Sequence, residues 1–134
     1  MSDLSDAFLA KAAESLAGAA SEFGNGRYNN VANRAYYAAF QAAIAALDLA
    51  SVHPSRGPGS WDHGFVQAQF AGLLIYRRKH YPSDLRDVLR MTLKLRQQGD
   101  YEMTPVTATQ AQRALIRAGT LIAAVEARAE GVSG

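Results

Sequence analysis

The sequence predicts an all-α fold, an up-and-down bundle of four to five helices. Three observations carry this. Five segments place apolar residues at helical spacing. No stretch reads as a strand. Glycine, asparagine and proline punctuate the chain where helices would have to stop. With 134 residues, 49% of them apolar, the chain is expected to form one domain over residues 1–134, around a single core of ordinary size.

The first segment runs from about Ser5 to Phe23, with Leu4, Phe8, Ala12, Leu16, Ala19 and Phe23 in helical register. Gly24-Asn25-Gly26 ends it, because glycine and asparagine accept the left-handed conformation of a helix stop. The second runs from near Tyr28 to about Leu49. Its alanines, from Ala35 to Ala46, leave little side chain on any face, which suits a central helix packed from several sides. The stretch from His53 to Ser60 holds two prolines and two glycines and cannot be helical.

A third helix is expected from Ser60 or Trp61 to about Tyr76, burying Phe65, Val66, Phe70, Leu73 and Leu74. Tyr81-Pro82-Ser83-Asp84 opens a fourth, with proline in the first turn and Asp84 favouring the positive helix end. Its apolar stripe is Leu85, Val88, Leu89 and Leu93, and it should end near Gly99. Thr104-Pro105 marks a break. Thr107-Ala108-Thr109-Gln110 reads as a capping box for a fifth helix to about Arg128.

Composition excludes several chemistries. The absence of cysteine removes disulfides, thiolate nucleophiles and cysteine-ligated metals. His53, His63 and His80 stand at no metal-ligand spacing and no carboxylate cluster accompanies them, so neither a metal nor another cofactor is expected. There is no nucleophile elbow and no glycine-rich phosphate cradle. The N-terminus lacks a secretory pattern and no apolar run approaches a membrane span, so a cytoplasmic protein is expected. Charge is uneven. Between Arg77 and Arg96, seven basic residues face only Asp84 and Asp87, a local charge of +5 that leaves −3 for the rest of a chain totalling +2. Arg86, Arg90 and Lys94 recur at four-residue spacing and are candidate contacts for RNA or an acidic partner.

Three constellations could carry chemistry. Asn29, Asn33 and Tyr37 fall on one side of the second helix with Arg34 beside them, among alanines that ought to be core. Burying such groups is costly unless partners are built around them, so the row should organise a polar network. Arg96 and Asp100 lie four apart in the order the helix dipole disfavours, with Gly99 between them and Tyr101 next, which suggests a specific helix-end geometry. His63 falls in the first turn of the third helix, where the dipole favours the neutral imidazole.

These pieces together resemble the HEPN domain, a small helical family of prokaryotic toxin–antitoxin and defence systems. Gly26-Arg27-Tyr28-Asn29 leading into Asn33-Arg34-Ala35-Tyr36-Tyr37-Ala38-Ala39-Phe40 is similar to the family's long second helix. His63-Gly64-Phe65-Val66 with Phe70 resembles the start of its third helix. Leu95-Arg96-Gln97-Gln98-Gly99-Asp100-Tyr101 resembles the arginine…aspartate-tyrosine ending of one branch. The match spans roughly Asp6 to Ala127.

The resemblance implies a bundle that dimerises, and many relatives are metal-independent ribonucleases. Their signature is an arginine and a following histidine with four to six residues between them. In such a site histidine deprotonates a ribose 2′-hydroxyl while arginine holds the phosphate. This chain departs from that signature: no histidine follows Arg96, and Asp100-Tyr101 occupies the region. Arg56 and His63 meet the spacing, but across the loop before the third helix.

Two classes of function follow. In one, the protein acts on RNA or nucleotide phosphates, with Arg34 and Arg96 gripping phosphate and His63, Asp100 or Tyr101 handling protons, while Asn33, Tyr37, Arg86 and Arg90 bind ligand. In the other it is a non-catalytic module that pairs with a partner such as a nucleotidyltransferase antitoxin. Both carry the expectation of a homodimer.

Overall fold

The computed structural model describes residues 3–55 and 60–133. Five helices run in chain order: α1 (Asp3–Gly24), α2 (Tyr28–Leu49), α3 (His63–Gln67), α4 (Val88–Tyr101) and α5 (Ala108–Ser133). A π-helical stretch, Ala68–Arg77, continues α3, and a 3-10 turn, Ser83–Leu85, precedes α4. Among the described residues there is no strand, and the fold is the expected all-α bundle. No described helix is long and apolar enough to cross a membrane.

Helix α2 is the axis, in contact with α1, α3 and its π continuation, α4 and α5. Its alanines explain how. Ala35, Ala38, Ala39, Ala42, Ala43, Ala45 and Ala46 are all buried, and a methyl group holds neighbouring backbones apart far less than a leucine would. Close approach gains many small dispersion contacts, and each buried methyl or methylene adds about 0.8 kcal/mol of transfer energy. Phe70, Ile44, Leu47, Leu74, Leu89 and Leu121 fill the space beside them.

Helices α1 and α2 form a hairpin closed at both ends. Gly26 takes the left-handed φ of 73° that ends α1, and the Arg27 N–H reaches back to the Glu22 carbonyl at 3.0 Å. At the far end the Asp48 carboxylate accepts the Ser5 N–H at 3.1 Å, satisfying a first-turn donor of α1, and meets His53 Nε2 at 2.7 Å. The capping box of α5 forms as expected: Thr107 accepts from the Gln110 N–H at 3.1 Å and Gln110 accepts from the Thr107 N–H at 3.0 Å. Near the other end of α5, Arg128 lies over the Tyr81 ring at 5.8 Å and donates to the His80 carbonyl at 3.4 Å.

Three expectations about elements need correction. The third helix winds as a π-helix after Gln67. Its fully buried side chains Val66, Phe70 and Leu74 fall four apart, longer than the 3.6 period, and a wider helix keeps them on one side. The fourth helix starts at Val88, because i→i+3 bonds from Leu85 to Pro82 and from Arg86 to Ser83 tighten the preceding residues into a 3-10 turn that buries Leu85. Gly99 does not end α4, which continues to Tyr101. A Cβ at Gly99 would lie 3.2 Å from the Asn29 carbonyl oxygen and 3.3 Å from both Asn29 Cα and Val106 Cγ2. Glycine is there for a close crossing of α4 over the start of α2.

Candidate functional site

The crossing of α4 over α2 gathers the polar groups. Asn29, at the start of α2, accepts the Val106 N–H at 2.9 Å and fastens the α4–α5 connection down. One turn on, Asn33 Nδ2 donates to Asp100 Oδ2 at 3.3 Å, and Arg96 Nε stands 3.2 Å from the same oxygen. That Nε is buried and out of line for a hydrogen bond, so the contact is an ion pair. Arg96 and Asp100 are only 23% and 25% exposed at their side chains, which shields the pair from much of the solvent.

The Arg96 guanidinium is also held from below by two rings. Its Cζ lies 5.3 Å from the Tyr37 ring centre and 5.6 Å from that of Tyr36, within reach of cation–π attraction. The two rings meet edge-on at 5.2 Å, and Tyr36 stacks on Phe40 at 5.7 Å. The arginine therefore sits on an aromatic floor that α2 presents.

Tyr36 links this floor to α3. Its hydroxyl is 3.1 Å from His63 Nδ1, and the rings tilt together at 5.8 Å. Asp62 caps α3 by accepting the Phe65 N–H at 2.8 Å, which fixes the first turn that carries His63. Burial lowers the His63 pKa from its ordinary 6.5, against the opposing pull of Asp62, so the imidazole is neutral near pH 7. Burial, then the neighbouring Tyr37, pushes Tyr36 up to about 12 although Arg96 draws it down, so its hydroxyl keeps its proton. With the histidine proton on Nδ1, the imidazole donates to Tyr36 and presents Nε2 as a base. With it on Nε2, Tyr36 donates instead.

A family model for the HEPN domain matches residues 5–128. The chain belongs to the HEPN family. A search of curated proteins found no match. Where many HEPN domains carry a histidine shortly after the arginine, this one has Asp100 paired with Arg96, and the His63 imidazole joins the cluster from α3 through Tyr36. Arg56, which stands at signature spacing before His63, lies outside the described residues.

Of the residues singled out in the sequence, the HEPN fold brings Arg96, Asp100, Asn33, Tyr37 and His63 into one cluster. It leaves out four. Arg34 does not share the buried row: consecutive residues point to different sides of a helix, and Arg34 is exposed, its stem over Gly18 in the α1–α2 cleft. Tyr101 is 76% exposed at the end of α4. Arg86 and Arg90 do not form a continuous stripe, because the helix begins between them. Arg86 borders a hollow with Tyr76 and Lys79, whereas Arg90 pairs with Asp87 at 3.1 Å beside α5. Asn29, expected in the same buried row, is exposed and serves the loop.

The residue that sequence reasoning missed is Tyr36, 4% exposed and at the centre of the cluster. Its signal was the adjacent Tyr36-Tyr37 pair, which on a helix has to serve two directions at once. Among the described residues, no three histidine, aspartate or glutamate side chains come together as a metal-binding group.

Proposed function

We propose that this HEPN domain is a component of a prokaryotic toxin–antitoxin or defence system that cleaves RNA without metal. Arg96 holds a phosphate, and His63 takes the proton of the ribose 2′-hydroxyl. One observation carries the reading: Arg96 and His63 both rest on Tyr36, so a guanidinium and a neutral imidazole flank a single buried ring. The histidine absent after Arg96 is supplied, in this reading, through space. Tyr36 fixes the imidazole by its Nδ1 and leaves Nε2 to act as base, and membership of the HEPN family supports a nucleotidyltransferase-type partner.

The test is cleavage of labelled single-stranded RNA in the presence of a chelator. His63→Ala should reduce the rate by about 100-fold or more, the usual worth of a positioned base. Because the His63 pKa is depressed, the wild-type rate should hold steady near neutrality and fall only on acidification below the ordinary 6.5, as the base becomes protonated. An uncleaved substrate, or an undiminished rate in the variant, removes the reading.

A second reading has its own observation. The Arg96 charge is already met by Asp100, and Asn33 holds that carboxylate. A cluster whose charges are paired internally also suits a non-catalytic module whose polar core keeps the α2–α4 crossing in place for a partner.

Both readings include a two-fold homodimer, supported by family membership and by the exposed Tyr101 and Met103 beside the crossing. Light scattering at micromolar concentration should give about twice the 14.4 kDa chain mass. A single-chain mass at every concentration would rule the dimer out.

A further inference from the structure

Away from the Arg96 cluster, α4 and α5 enclose an open groove of about 590 Å³. Its walls carry matched cations, Arg90 and Lys94 one turn apart on α4, and Arg113 and Arg117 one turn apart on α5. Asp87, which pairs with Arg90, is the single carboxylate among the described residues that line it. Lys94, Arg113 and Arg117 thus form a positive rim with no carboxylate facing them in the groove.

Between the walls Met91 and Leu95 add an apolar strip beside Gln98 and Gln110. Met91 is 38% exposed, one of few large apolar side chains so open to water, and the half-buried Leu95 continues the strip one turn along. A thioether adapts its shape to what packs on it. Among the described residues, no aromatic ring lines the groove. A single-stranded nucleic acid would meet the cations but find no ring on which to stack its bases, and it would leave the apolar strip uncovered.

The geometry points to this groove as the docking site for an acidic amphipathic helix of a protein partner. The apolar face of that helix covers Met91 and Leu95, and its flanking carboxylates meet Lys94, Arg113 and Arg117. The groove shares no residue with the Arg96–Tyr36–His63 cluster, so the inference stands or falls apart from the catalytic reading.

The probe is a labelled helical peptide of about 14 residues, roughly 21 Å long, with leucines at i, i+3, i+4 and i+7 and glutamates on the flanks. A scrambled peptide of identical composition and a uridine oligonucleotide of similar charge are the controls, all read by fluorescence anisotropy. The amphipathic peptide should bind at least about tenfold tighter than the scrambled one, since only its leucines form a stripe. The double variant Arg113→Glu with Arg117→Glu should weaken it by about tenfold or more, and so should Met91→Asp. Circular dichroism checks that these surface changes leave the fold intact, and each is repeated as Arg113→Gln with Arg117→Gln or Met91→Ser if it does not. Equal binding of the two peptides, binding that survives loss of Met91, or no binding overturns the proposal. Tighter binding of the oligonucleotide, lost in the arginine variants, also overturns it and makes the groove a phosphate track.

Discussion

Arg96→Ala should lower stability by about 2 kcal/mol, the combined worth of two cation–π contacts and a half-shielded ion pair. It should also abolish RNA cleavage, with a rate loss of about 100-fold or more if the guanidinium stabilises charge on the phosphate. The two effects belong to different readings, which gives the variant its value. Chemical denaturation measures the first and single-turnover cleavage the second. Arg96→Lys separates them further. Lysine keeps the charge near Asp100 but has no flat face to lay on Tyr36 and Tyr37. A lysine variant that is less stable yet still cleaves argues for charge at the phosphate. One that folds normally and is inert argues for the shape of the guanidinium. If Arg96→Ala is as stable as the wild type, the Asp100 pair and the aromatic floor do not hold the α2–α4 crossing together.

Gly99→Ala should destabilise the protein by about 1–3 kcal/mol, the usual cost of forcing atoms into a filled space. The sign is the informative part. In an exposed helix interior the same change would stabilise by about 1 kcal/mol, because alanine is the better helix former. Here the new methyl would stand 3.2 Å from the Asn29 carbonyl oxygen and 3.3 Å from Val106, and two of the three atoms it meets are backbone, which cannot swing aside. The displacement would loosen the Asn33–Asp100 bond that depends on the same crossing. Urea denaturation of the variant decides it, and a raised midpoint would contradict the close approach.

Much of this architecture was legible because it is local. The bounds of α2 follow from the glycine turn before Tyr28 and the run of alanines after it, and the Thr107–Gln110 box is written in four consecutive residues. The four-residue spacing of Arg96 and Asp100 allowed a pair, although in the order the helix dipole disfavours, and the pair forms with α4 still helical at Gly99. What the sequence concealed depends on rotation and on distance along the chain. Arg34 follows Asn33 directly, and one step of a helix carries it from the α4 side to the α1 side. Tyr36 reads alone as one more core aromatic. Its importance arises only when His63, 27 residues away, arrives at its hydroxyl. The π winding after Gln67 was hidden because a four-residue spacing of apolar side chains fits an α-helix loosely enough to pass for one.

The alanine-filled axis has a consequence for how the protein tolerates change over generations. A core of large side chains is eroded by truncation, one cavity at a time. At the seven buried alanines from Ala35 to Ala46 helix α2 has nothing to truncate, so there the damaging direction is growth. Even serine or valine there pushes on a neighbouring backbone or brings an unpaired hydroxyl inside. An alanine scan, the customary survey of importance, would pass over these seven positions in silence. The positions that let the other helices approach α2 would register as uninformative, although they are confined to the smallest side chains while the surfaces around them drift.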